Sequence, residues 1–195
     1  MLKNQLRPAI VVTVLLMLIT GILYPGLVTA VAQLVFPHQA NGSLVERNGQ
    51  EIGSALIGQR FARAEYFHAR PSAAGAGYDD TLSTGTNKGP TDRKLADTLI
   101  AAAVDSEVRL DGAVKGRIPA DLVTSSGSGL DPHISPAAAE LQVARVARAR
   151  GLDSAVVQAL VARHTEGRQF GFFGEPRVNV LLLNLALDSL TRERP

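Results

Sequence analysis

The sequence predicts an α+β soluble domain, with a small α/β layer as the alternative, behind one N-terminal transmembrane helix. Three observations carry this prediction. Residues 8–37 contain no charged side chain. Short strand-like pieces punctuated by turn residues follow, at residues 44–57. Segments with helical periodicity and helix caps fill the second half.

The uncharged run reads PAIVVTVLLMLITGILYPGLVTAVAQLVFP. A bilayer core of about 30 Å needs roughly 20 apolar residues, so residues 9–36 suffice as a span. Lys3 and Arg7 precede it, and the next basic residue is Arg47, beside Glu46. That asymmetry predicts a cytoplasmic N-terminus, residues 1–8, and an extracytoplasmic domain, residues 37–195. A cleaved signal peptide is the rival, with a small-residue site at Ala30-Val31-Ala32. The run continues through Leu34-Val35-Phe36, longer than a signal needs, which favours the anchor. Pro25 can kink a membrane helix without ending it. Gly21, Gly26 and Ala30 could admit a close-packed partner helix.

Bulk composition excludes several function classes. The chain has 195 residues, 20 basic and 18 acidic side chains, and no cysteine. Without Lys3 and Arg7 the remainder is formally neutral, and aromatics are only 5%. Neither a basic patch nor a stacking platform for nucleic acid is indicated. Disulfides, cysteine-ligated zinc and thiol catalysis are excluded. His38, His68, His133 and His164 show no metal-binding spacing, so no metal site is expected.

In the soluble part, Asn41-Gly42-Ser43 and Asn48-Gly49 are turns flanking strand-like Leu44-Val45 and Ile52 to Ile57. Tyr66 to Arg70 is a second extended piece, its aromatic pair read as core. Residues 72–90 have a loop composition, and a loop so long is usually functional or partner-bound. Thr91-Asp92 caps a helix reaching about Leu110, with Leu95, Leu99, Ala102 or Ala103 and Val108 on one face. Asp121 to Thr124 reads as a strand feeding the loop 125–136. Ser135 and Pro136 then open a helix that runs from Ala137 to Arg150 and stops at Gly151. Asp153 caps the next, to about His164, with Val156, Val157, Leu160 and Val161 inward. Phe170 to Pro176 is an aromatic turn, and Arg177 to Leu190 a last helix with Asn179 and Asn184 among leucines.

The glycine-rich loop at Thr124 to Gly129 lacks the Lys-Ser or Lys-Thr of a phosphate loop, and position 132 is Pro where a dinucleotide fold needs Gly. A structural turn is the better reading. Ser128, Asp131 and His133 suggest a hydrolase triad, with Ser128 as nucleophile of an exported serine hydrolase. The nucleophile-elbow spacing is not met. Gln142, Arg145 and Arg148 share one helix side, either bonding back to the loop carbonyls, reaching a partner or facing solvent.

Taken together, these stretches resemble the C subunit of the Kdp potassium-transporting ATPase, over nearly the whole chain. The resemblance rests on Tyr24-Pro25, Gly58-Gln59-x-Phe61, Tyr66-Phe67-x-x-Arg70-Pro71-Ser72 and Asn87-x-Gly89-Pro90. Its strongest piece is Ser126-Gly127-Ser128-Gly129-Leu130-Asp131-Pro132-His133-Ile134-Ser135-Pro136. Gln142-x-x-Arg145-Val146-Ala147, Gly174-Glu175-Pro176-x-Val178-Asn179-Val180 and Asn184-x-Ala186-Leu187-Asp188 complete it. One loop departs: the family's Ser-Gly-Gly-Ser-Asn-Leu-Gly-Pro is here Ser83-Thr84-Gly85-Thr86-Asn87-Lys88-Gly89-Pro90.

The resemblance implies a non-catalytic accessory subunit of a high-affinity potassium uptake complex in the bacterial inner membrane. The implied partners are a channel-like potassium-translocating subunit, a P-type ATP-hydrolysing subunit and a small single-span subunit. It also implies a chaperone-like role that raises ATP affinity in the hydrolysing subunit, with ATP as a non-covalent ligand. Candidate partner or nucleotide contacts are Asn87, Ser126, Gly127, Ser128, Gly129, Asp131, His133, Ser135, Gln142 and Arg145. The charge asymmetry conflicts with that ligand, because it places the domain away from cytoplasmic ATP. A cytoplasmic nucleotide-binding regulator is the remaining alternative.

Overall fold

The computed structural model describes residues 2–192. It divides into two units, residues 1–52 and 53–195.

In the first unit, α1 (Leu2–Leu18), a π-helical turn (Ile19–Leu23) and α2 (Tyr24–Val35) form one continuous apolar rod. The apolar stretch Asn4–Val35 is 32 residues long, enough to cross a membrane by length and composition, and none of it is buried within the chain. The π-turn sits just before Pro25, whose ring and missing N–H disrupt the regular ladder. The widened turn lets Tyr24 N–H reach the Ile19 carbonyl, so the helix continues. Thr20 Oγ1 donates to Leu16 O at 2.7 Å. The rod ends at Phe36 (φ −134°, ψ 56°). Pro37 follows, and a residue before proline is driven out of helical geometry. The short helix α3 (Pro37–Ala40) leads to β1 (Leu44–Arg47), which pairs with β2 (Gln50–Ser54) across the Asn48-Gly49 turn. Asn48 (φ 54°) takes up the left-handed conformation such a hairpin requires.

The second unit is α+β. Its helices are α4 (Ala101–Asp111), preceded by a π-helical stretch (Leu95–Ile100), α5 (Ala120–Val123), α6 (Pro136–Arg150), α7 (Ser154–Arg163) and α8 (Val180–Arg192). A three-stranded antiparallel sheet, order β3 (His133–Ile134), β5 (Arg177–Asn179), β4 (Thr165–Glu166), ties the start of α6 to the start of α8. Its register sets Ile134 opposite Val178 and Thr165 opposite Val178. The core forms where α6, α7 and α8 meet this sheet: Ile134, Val143, Val146, Val157, Leu160, Val178, Leu183 and Leu187 are all buried there, with Phe67.

The helix caps expected from sequence are present. Ser135 Oγ accepts the Ala138 amide at 3.1 Å, and Asp153 Oδ1 accepts the Ala155 amide at 2.8 Å. Gly151 ends α6 in the left-handed conformation.

Four expectations are corrected. Residues 120–123 form α5 and not a strand; Pro119 opens the turn, and Thr124 Oγ1 closes it on the Ala120 carbonyl at 2.6 Å. Residues 177–179 form strand β5, and α8 begins only at Val180. Asn179 decides that boundary: its Oδ1 accepts the Leu182 amide while its Nδ2 donates to the Ala55 carbonyl at 2.7 Å. Val156 is exposed, since α7 packs through Val157, Leu160 and Val161 alone. Leu99 is exposed too, so the helical face expected to be buried lies partly at the surface.

Of the extended piece expected at 66–70, residues 67–70 lie outside any helix or turn, while residues 63–66 form a turn in which the Tyr66 amide donates to the Arg63 carbonyl at 3.2 Å; among the described residues no strand pairs with either part. Side chains hold their peptide groups instead. Asn184 Oδ1 accepts the Phe67 amide at 2.9 Å and its Nδ2 donates to the Phe67 carbonyl at 3.0 Å. Gln142 does the same for His68, at 2.7 and 3.1 Å. Arg145 Nη1 donates to the carbonyls of Ala64 and Tyr66, and Arg150 Nε to that of Glu65. Asn184→Leu strands two buried peptide groups at Phe67, each costing about 1–3 kcal/mol. The variant should lose about 2–5 kcal/mol in denaturant unfolding of the full chain in detergent; a loss under 1 kcal/mol would contradict this role.

Candidate functional site

The eleven-residue motif 126–136 lies at the centre of two arrangements, a junction of loops and an open cleft. In the first, the loop 72–90 folds onto it. Ser72 Oγ donates to the Gly129 carbonyl at 2.6 Å and accepts the amides of Ala74 and Tyr78. Ser83 Oγ donates to the Ser128 carbonyl at 3.2 Å. Tyr78 hydroxyl donates to the Arg70 carbonyl, and burial pushes its pKa up to about 12. From the other side, Gly58 N–H donates to the Leu130 carbonyl at 2.7 Å. The sequence reading assigned both loops to a partner; they are first of all partners of each other.

The junction is too tight for a side chain at Gly129. Its φ is +71°, and an added Cβ would meet Thr84 O at 2.4 Å and Ala74 N at 2.8 Å. Left-handed strain and the clash add, at roughly 1–3 kcal/mol each. Gly129→Ala should therefore cost about 2–5 kcal/mol in the same unfolding assay, against less than 1 kcal/mol for Gly127→Ala, where an added Cβ meets nothing.

The second arrangement is an open cleft of about 450 Å³ bordered by Arg70, Asp121, Asp131, His133, Ser135, Glu175 and Arg177. Arg70 Nη1 meets Asp131 Oδ2 at 3.2 Å. The His133 amide donates to Asp131 Oδ1 at 3.0 Å, and the His133 ring nitrogen Nδ1 lies 3.4 Å from the same oxygen. Burial alone would raise the Asp131 pKa; the His133 hydrogen bonds and the Arg70 charge outweigh it and hold the carboxyl below its ordinary value. Asp121 accepts the Ser135 amide at 2.6 Å and its hydroxyl at 3.1 Å, which fixes the first turn of α6. Arg177 pairs with Glu166 at 2.9 Å and Glu175 with Arg168 at 2.6 Å.

Of the sequence candidates, Asp131, His133 and Ser135 border the cleft, and Ser126, Gly127, Ser128 and Gly129 belong to the junction. Asn87 is exposed in a left-handed turn (φ 53°). Gln142 and Arg145 are buried, their hydrogen bonds spent on residues 64–68 and not on the 125–136 loop; Arg148 is exposed. Gly21, Gly26 and Ala30 are exposed on the apolar rod. Ser128 Oγ accepts the Leu130 amide and lies 3.4 Å from Ser126 Oγ; among the described residues no hydrogen bond joins it to His133, so no triad forms. No cluster of metal-ligating side chains occurs among the described residues.

A nucleotide triphosphate does not fit the cleft. Asp121, Asp131 and Glu175 set three carboxylates on its border, and Ser135 and Asp121 already occupy the N-terminus of α6. Arg70 Nε is a buried donor without a protein partner, enough for one water or one acceptor. Several free donors would be needed for a triphosphate.

A second cluster escaped the sequence reading. Glu107 and Asp111 lie one turn apart on α4, and Asp111 Oδ1 receives Arg145 Nε at 2.8 Å. Glu107 Oε2 and Asp111 Oδ2 are buried with no other partner. Burial and the neighbouring Asp111 charge disfavour a charged Glu107, and the opposing Arg145 charge does not offset them. Their (i, i+4) spacing on an otherwise apolar face was the available signal.

A family model described as KdpC, the c chain of K+-transporting ATPase, matches residues 6–189. The chain belongs to the KdpC family. A Potassium-transporting ATPase KdpC subunit from Gemmatimonas aurantiaca is 67% identical over 195 residues, covering 100% of this chain and 97% of the relative. KdpC subunits from Methylococcus capsulatus and Rhodospirillum rubrum are 55% and 56% identical, over 96% and 95% of the chain and 98% and 95% of their own lengths. This is the family that the 126–136 motif and its companions indicated.

Membership in the KdpC family leaves the carboxyl pair a property to be read from physics. Burial first, and the Asp111 charge second, push Glu107 up from 4.5 to about 7, against the opposing Arg145 charge. His68, also near Arg145, is held below its ordinary value by burial and that same charge. Folded Glu107 therefore keeps a proton between pH 4.5 and about 7 that the unfolded chain has released. Its contribution is intact below pH 4.5 and is lost as pH rises to about 7. At ~1.4 kcal/mol per pH unit the loss totals about 3 kcal/mol. Glu107→Gln, neutral at every pH, should flatten this dependence and be more stable than the native chain at pH 8, by urea unfolding at several pH values. Equal slopes for both proteins would refute the raised Glu107 pKa.

Proposed function

We propose that this chain is a non-catalytic accessory subunit of an ATP-driven potassium uptake complex. Its outer domain stabilises the assembly, while its single span, residues 9–36, packs on partner helices through Gly21, Gly26 and Ala30. The observation that carries the reading is the pairing of the 72–90 and 125–136 loops into one rigid surface on a chain of this family. Its cleft is bordered by three carboxylates, and the Ser135 hydroxyl there is spent on Asp121 and on capping α6, which favours binding over chemistry. The partners are the channel-like potassium-translocating subunit, the P-type ATP-hydrolysing subunit and the small single-span subunit. Lys3 and Arg7 keep the N-terminus cytoplasmic and place residues 37–195 outside the inner membrane.

Any rise in ATP affinity then works through assembly with the hydrolysing subunit, since the cleft suits no triphosphate. ATP held by this chain itself is the finer form of the proposal that the carboxylates disfavour. Co-expression with the other chains of the ATPase tests the reading. The full chain should be recovered in the complex, removal of residues 1–36 should reduce that recovery at least tenfold, and protease added to intact spheroplasts should cleave the domain. Normal recovery without the anchor, or protection from external protease, would overturn it.

A further inference from the structure

The β4–β5 hairpin carries a surface that neither the cleft nor the loop junction uses. Its root is buried through Val178, while its tip presents Phe170, Phe172 and Phe173, 88%, 65% and 58% exposed. None of the three belongs to the core. Phenylalanine is ordinarily a buried residue, and three adjacent exposed rings mark a contact surface rather than scattered apolar exposure.

The tip is pre-shaped. Gln169 and Phe173 exchange backbone hydrogen bonds, both at 2.9 Å, and Gly171 N–H donates to the Arg168 carbonyl at 3.1 Å. Phe170 sits at φ +52°, a conformation that costs a bulky residue energy and persists only where the surroundings impose it. The result is an outward ring at Phe170 and a packed pair at Phe172 and Phe173, with centroids 4.3 Å apart. A rigid aromatic anchor loses little conformational freedom on binding.

Charge decides the occupant. The charged residues from 165 to 177 are Glu166, Arg168, Glu175 and Arg177, and they pair off completely, Arg168 with Glu175 and Arg177 with Glu166. No basic side chain of the hairpin is left for anionic headgroups, which a lipid-binding aromatic tip normally recruits. An uncharged apolar recess in a protein is the complementary surface.

We propose that residues 170–173 form the anchor by which this domain inserts into an uncharged apolar recess on another chain of the potassium-transporting ATPase. This rests on the accessory-subunit reading above and names a contact that reading does not include. The test uses the full chain in membranes containing the assembled complex. With p-benzoylphenylalanine replacing Phe172, irradiation should give an adduct with another chain of the ATPase, identified by mass. Adducts with lipid only, with a second copy of this chain only, or none at all, overturn the proposal. In parallel, Phe170→Ser/Phe172→Ser/Phe173→Ser should keep the native thermal midpoint and fall at least tenfold in recovery with the complex. Undiminished recovery of that folded variant also overturns it. If the native chain itself is not recovered with the other chains, the accessory-subunit reading fails, and this proposal with it.

Discussion

The second unit depends on four side chains that hold the backbone of residues 64–68. This segment turns at 63–66 and then runs on outside any sheet. Gln142 and Asn184 each grip one residue, His68 and Phe67, by both its N–H and its carbonyl, which is what a paired strand would do. Arg145 and Arg150 collect the carbonyls between. The consequence is that α6 and α8 are joined through residues 64–68 as well as through the core. Arg150 adds to this by lying 4.8 Å over the Tyr66 ring and pairing with Asp188 at 2.7 Å. Buried polar groups of this kind are costly singly and rigid when fully satisfied. They explain why Asn184 sits among the leucines of α8, where the hydrophobic pattern alone offers no reason for it.

That rigid frame positions the loops. Residues 64–68 lead directly into Arg70 and Ser72, which touch the motif. Arg70 reaches Asp131, and Ser72 reaches the Gly129 carbonyl. The motif then passes through β3 into the capped start of α6, whose later turns carry Gln142 and Arg145. The chain therefore closes a circuit: α6 holds residues 64–68, these hold the loop 72–90, and that loop holds the segment that begins α6.

What was legible in the sequence was what is decided locally. Ser135-Pro136, Gly151 and Asp153 mark helix ends through their own backbone and capping chemistry, and they mark them correctly. The uncharged run gave the apolar helix for the same reason. Residues 121–124 and 177–179 were misread because they are three or four residues long, and their state is set by distant groups. Asn179 ends a strand only because Ala55 and Leu182 take its amide. The candidate site was legible as a motif but not as a set of roles. Gln142 and Arg145 looked like contacts because polar residues on one helix side resemble a solvated or partner-facing stripe. Only the fold reveals that backbone, not water, lies opposite them.

Arg145 ties the frame to the raised pKa of Glu107. Its guanidinium gives hydrogen bonds to two carbonyls through Nη1 and to Gln142 through Nη2, and its Nε–H goes to Asp111. One cation cannot neutralise two buried carboxylates, and the surplus negative charge is removed by protonating Glu107. The backbone clamp and the titration on α4 are two readings of the same guanidinium.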